Sequence, residues 1–150
     1  MKKLLPLLAV SALLAGCATV TYQQTVLPQG VKLASHETLA RFDGLTEEPC
    51  RHMTTLCPNE CDHGGTYAHF SIVEYTNYVQ HEKEGDPKQD TFAVRIALQD
   101  GSRAPETSPA LKRVISELSP GQVVVLDWLH FYHRNEQGCY PERIITRLAE

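Results

Sequence analysis

Residues 122–132, QVVVLDWLHFY, constrain the fold more than any other stretch of the chain. Val123, Val124 and Val125 are β-branched and Trp128, Phe131 and Tyr132 are aromatic, the residue types that sit best on a pleated, half-buried surface. Pro120-Gly121 punctuates the chain just before the run, so it begins a new element. A helix needs about 20 apolar residues to cross a bilayer. The run is shorter than that and reads as the strongest strand of the chain.

The periodicities around it describe a mainly β chain. Residues 91–98 alternate, with Phe92, Val94, Ile96 and Leu98 on one face and Arg95 on the other. Residues 67–79, YAHFSIVEYTNYV, are rich in aromatic and β-branched side chains and long enough for a bent strand. TLARFDGL, 38–45, is a shorter candidate with poor alternation, and Ile144, Ile145 and Leu148 mark a last strand over 142–148. Gly85-Asp86-Pro87 and Gly138 supply turns. One helix interrupts the strands: Ser108 is its N-cap, Pro109 takes the first helical position, and Leu111, Val114, Ile115 and Leu118 fall on one face before Pro120.

The order β-β-β-α-β-β, with the helix-to-strand junction LSPGQVVVL at 118–126, resembles that of the OB-fold, a partly open five-stranded Greek-key barrel. The resemblance implies an OB-like barrel domain over residues 37–150. A small β-sandwich or another α+β roll is the alternative. In the barrel, the first connection, 46–66, and the last, 133–141, are expected to leave the same end of the sheet and to flank a ligand.

The amino end is a targeting segment. Met1, Lys2 and Lys3 precede an apolar run over 4–15, the charged and hydrophobic regions of a secretory signal. It ends in Leu14-Ala15-Gly16-Cys17, which resembles the lipobox of bacterial lipoprotein precursors. The resemblance implies a signal peptide over 1–16, cleavage before Cys17, a diacylglyceryl group on its sulfur and an acyl chain such as palmitate on its new amino group. Several acyl chains anchor a protein stably. Ala18 stands where the family's inner-membrane retention signal has Asp, which implies the outer membrane, facing the periplasm. The competing reading is an ordinary secretory cleavage with an incidental cysteine. Residues 17–36 are polar with little periodicity and read as the lipidated end and a tether, with a first strand over 25–33 as the alternative.

Cleavage leaves 134 residues, enough for one domain. Without Lys2 and Lys3 the mature chain carries 12 basic against 18 acidic residues, a net charge of −6 with no basic stripe, which argues against nucleic acid as a partner.

CRHMTTLCPNECDHGG, 50–65, holds three of the five cysteines and two histidines. Thiolate and imidazole bind zinc or copper, and Cys50, His52, Cys57, Cys61 and His63 exceed the usual four ligands, with Gly64-Gly65 letting the backbone fold tightly. TLCPNEC, 55–61, is similar to the copper-binding Cys-Pro-x-x-Cys segment of the Sco copper chaperones, although their thioredoxin-type βαβ units are not visible here. Against the metal stand disulfides, the default for the even set Cys50, Cys57, Cys61 and Cys139 in an oxidising envelope. Pairing Cys50 with Cys57 or Cys61, and Cys139 with the other, would staple the first loop to the last. A reactive thiol pair is the third reading; Glu60 and Asp62 beside Cys61 have the wrong charge for it.

Trp128, His130 and Tyr132 alternate on one face of this fourth strand and His133 lies on the other. Turned outward, they form an aromatic surface suited to a sugar or peptide; turned inward, they are packing. Asp127 needs a partner if buried, with Arg143, Arg147 or a histidine as candidates. His69 and His81 have no evident partner, and Glu47-Glu48 and Glu82/Glu84 read as solvated loop charges. No Gly-x-Ser-x-Gly, His-Glu-x-x-His, Walker or dinucleotide signature is present. The expectation is a lipid-anchored binding or structural module for an envelope protein, peptide or glycan, rather than an enzyme, with a zinc- or copper-binding protein as the alternative.

Overall fold

A computed structural model describes residues 20–49, 64–135 and 138–150, with Asn135 and Cys139 described by backbone alone. The elements are β1 (Thr21–Gln23), β2 (Gly30–Glu48), β3 (Gly65–Gln80), β4 (Thr91–Ala97), α1 (Pro109–Glu117), β5 (Val123–Asn135) and β6 (Gly138–Ala149). The mainly β class and the single helix between the third and fourth long strands agree with the sequence.

All ladders are antiparallel and form one sheet in the order β1-β6-β5-β2-β3-β4. β2, β3 and β4 follow one another, and β5 returns through α1 to lie beside β2, a Greek key. The sheet is open. β1 and β4 are its edges, and among the described residues no ladder joins β4 to β6, so the closed barrel is not seen.

The sheet nevertheless curls strongly. β4 and β5 stand three strand steps apart, about 14 Å on a flat sheet at about 4.8 Å per step, yet the Phe92 and Trp128 rings on them have centroids 4.7 Å apart. The concave face carries the main core, in which Phe42, Phe70, Leu126, Trp128 and Leu148 meet Leu111, Val114 and Ile115 of α1. Ser108 Oγ accepts the Leu111 N–H at 3.1 Å and Pro109 opens the helix, as the capping signals require. A smaller cluster on the convex face joins Leu129, Phe131 and Ile144 with Leu27.

Three expectations are corrected. Residues 30–36 are not tether but the first part of β2, which pairs with β5 from Gly30↔His133 onward, and residues 21–23 form β1 against β6. Glu47 and Glu48 are in β2 rather than a loop. The first and last long connections do not leave the same end of the sheet. Glu48↔Gly65 closes the β2–β3 ladder at the carboxyl end of β2, whereas the β5–β6 hairpin lies beyond Gly30 at its amino end. The reason is the Greek key, which sets β5 antiparallel to β2 and so sends the hairpin off the opposite end.

Candidate functional site

The seam where the sheet fails to close is a cleft of about 710 Å³. Ala93, Val94 and Arg95 of β4 form one wall and Pro141, Glu142 and Arg143 of β6 the other. Successive side chains of a strand point to opposite faces. Three consecutive residues lining one cleft therefore present the strand's edge to it, on both sides.

Ion pairs hold the walls. Arg95 Nε meets Glu106 Oε1 at 2.6 Å, with the arginine side chain only 13% exposed. Arg143 Nε meets Asp86 Oδ2 at 2.7 Å. The Asp86 backbone N–H donates to His130 Nδ1 at 3.0 Å, which in the neutral ring puts the proton on Nε2. Asp86, on the loop after β3, thus ties β5 and β6 together at the mouth of the cleft.

A second cleft of about 450 Å³ lies between the 22–28 segment, the start of α1 and β6, and shares Glu106 and Glu142 with the first. His133 is buried there, stacked on Tyr140 with centroids 4.7 Å apart, and its Nε2 is hydrogen-bonded to Glu142 Oε2.

Behind the seam sits an aromatic cluster on the concave face. His36, 1% exposed, stacks on Trp128 with centroids 4.5 Å apart and planes 10° from parallel. Its Nδ1 lies 3.4 Å from the Tyr75 hydroxyl. No hydrogen-bond partner meets His36 Nε2 or Trp128 Nε1 among the described residues. Burial lowers the His36 pKa to about 4; Asp86 opposes the shift, and Arg143 and His130 add to it. Burial raises the Tyr75 pKa, against the Gln89 N–H that bonds its oxygen. Asp127 is likewise pushed up by burial, while the Thr38 N–H at 3.2 Å and the charge of Arg147, opposite it in the ladder, act the other way.

The aromatic surface expected on β5 does not form as a surface. Trp128 is fully buried, because its face of β5 is the concave one, where His36 stands opposite it in the β2–β5 ladder and curling brings Phe92 against it. Tyr132 is half-buried. His130 and His133 do line clefts, one in each. His69 and His81 have partners after all, Thr46 Oγ1 and Ser35 Oγ, each at 2.7 Å. Cys17, Cys50, His52, Cys57, Cys61 and His63 lie outside the described residues, as does the Cys139 side chain; the Cys139 backbone pairs with Arg134. Among the described residues no group of three or more His, Cys, Asp or Glu is placed to hold a metal ion. Asp86, Arg95, Glu106 and Arg143 were not singled out from the sequence as site residues, since a seam between unpaired strands has no periodicity of its own.

A cleft walled by strand edges and mutually paired charges is suited to binding a polar, extended ligand. No family model, curated protein or solved structure matches the chain.

Proposed function

We propose that this chain is a lipid-anchored protein of the bacterial cell envelope, acting as a binding module whose ligand sits in the seam between β4 and β6. The lipobox-like Leu14-Ala15-Gly16-Cys17 supports the anchor. The observation that carries the binding role is the charged cleft of about 710 Å³, within the ordinary size of ligand sites. In that setting the module holds an envelope protein, peptide or glycan near the membrane to which Cys17 is attached, and Cys50, Cys57, Cys61 and Cys139 are oxidised to disulfides.

Two experiments test the two halves. Labelled palmitate enters the full-length chain expressed in a bacterial host, and Cys17→Ala abolishes its incorporation; unchanged labelling would refute the anchor. A photo-crosslinking side chain at Ala93, in the cleft, gives a discrete adduct in living cells that Glu142→Arg removes. The same group at exposed Val123, outside the cleft, gives none. Equal adducts from both positions, or none from either, would refute the seam as the site.

A further inference from the structure

We infer that the seam takes an extended peptide as an added strand between β4 and β6. The inference rests on the reading of the seam as the binding site and deepens it by naming the class of ligand.

Hydrogen-bond alternation carries it. The Ile72 N–H donates to the Asp90 oxygen at 2.8 Å, and the register continues through Ser71↔Thr91, Phe70↔Phe92, His69↔Ala93 and Ala68↔Val94. Antiparallel ladders alternate bonded and non-bonded pairs, so Phe92 and Val94 turn their backbone groups to β3 and Ala93 turns its N–H and C=O toward the cleft. On the other wall, Arg134 of β5 gives its N–H to the Gln29 oxygen at 3.2 Å, away from β6. By the same alternation Phe131 and Leu129 bond Glu142 and Ile144, and Pro141 and Arg143 present their backbones outward. Pro141 has no N–H to give and occupies a position where the ladder needs none. Its carbonyl and the Arg143 N–H face the seam.

Unpaired edges are templates for another strand, and proteins usually cover them. This one covers most of both. The end of β4 is closed by the Ala97↔Arg103 bridge and the Ala104 N–H to the Ile96 oxygen, and the end of β6 by β1 against Arg147 to Ala149. What stays open is the pair of facing stretches at Ala93 and at Pro141 to Arg143. One strand inserted there meets donors and acceptors on both sides, the geometry of β-strand addition.

Charge selects the occupant. Asp86, Glu106 and Glu142 line the cleft with Arg95 and Arg143. The two arginines are ion-paired with Glu106 and Asp86, which leaves Glu142 with His133 as its partner. The occupant is a segment of a separate polypeptide with alternating side chains and a lysine or arginine in register with Glu142.

The test uses the full-length chain in detergent and fluorescence anisotropy with a fluorescein-labelled Thr-Val-Lys-Val-Lys-Val-Thr peptide, as long as the seven-residue β4. Two relatives of the peptide serve as controls, one N-methylated at alternate residues and one with Glu in place of Lys. The lysine peptide binds, and each control binds about tenfold weaker or less. Ala93→Pro, at an outward N–H that the β3 ladder does not use, weakens binding about tenfold while Trp128 emission and the thermal midpoint show that it is folded. Methylation or Ala93→Pro without effect, with Glu142→Gln still weakening binding, would overturn strand addition and leave the binding-module reading intact. Absence of peptide binding, with the Ala93 crosslink still formed in cells, would do the same. Concentration-dependent dimers that Ala93→Pro abolishes would overturn the separate polypeptide in favour of a second copy of the chain.

Discussion

Phe92 and Trp128 touch, their ring centroids 4.7 Å apart and their planes at 42°, although β2 and β3 stand between their strands in the sheet. This contact fastens the curl that brings β4 round toward β6. Phe92→Ala removes a buried ring from the core and is expected to lower stability by about 3–5 kcal/mol. Trp128 is the chain's one tryptophan, so its fluorescence reports the loss directly as a lower urea midpoint.

His36 makes stability depend on pH. Its imidazole gives up its proton near pH 4 in the folded chain and near 6.5 when unfolded. Between these values the unfolded chain binds a proton that the folded one does not. Stability is therefore full above about pH 6.5 and falls as the pH drops, by about 2 kcal/mol at pH 5 relative to pH 8, before levelling off below about pH 4. Asp127, whose raised pKa acts in the opposite sense, stays constant in a comparison with His36→Phe. That variant keeps a ring against Trp128 and removes this part of the slope, as urea titrations at several pH values will show.

Two glycines separate a steric cost from a conformational one. At Gly65, φ is +141° and an added Cβ would lie 2.1 Å from the Ala97 carbonyl oxygen. Gly65→Ala is expected to push β3 from β4 and cost roughly 3 kcal/mol or more. Gly101 has φ +82° with open space around it, so Gly101→Ala bears only the left-handed backbone penalty of about 1–2 kcal/mol. Denaturation of the two variants side by side measures the difference.

The four cysteines other than Cys17 are expected to resist alkylation in the exported, unreduced chain and to take up four alkyl groups after reduction, by intact mass. Free thiols with about one zinc or copper per chain would instead identify the 50–65 stretch as a metal site.

Elements with uninterrupted patterns were legible in the sequence. The 91–98 alternation is β4, the Ser108-Pro109 start is the cap of α1, and the 122–132 run is the body of β5. β2 was read short, 38–45 instead of Gly30–Glu48, because the alternate positions it buries, Ala34, His36, Thr38, Ala40 and Phe42, are mostly small or polar, and because its alternation breaks at Leu33 and Asp43, the extra residues of the Lys32/Ala34 and Phe42/Gly44 shifts. A search for an apolar period of two therefore finds only a fragment of β2, while the shifts at Glu37/Thr38 and Leu39/Ala40 put their extra residues, Thr76 and Val73, on β3. His130 and His133 were noticed for their place on β5. Their partners Asp86 and Glu142 come from a loop and another strand, brought in by curl and register, which leave no local mark.

The central claim, a sheet left open between β4 and β6, is tested most directly by amide hydrogen exchange followed residue by residue. The account predicts fast exchange at Ala93 and Arg143 beside slow exchange at Val94 and Glu142, whose N–H groups are bonded to β3 and β5. Slow exchange at all four in the unliganded chain would mean that the seam is closed by a ladder, and would contradict it.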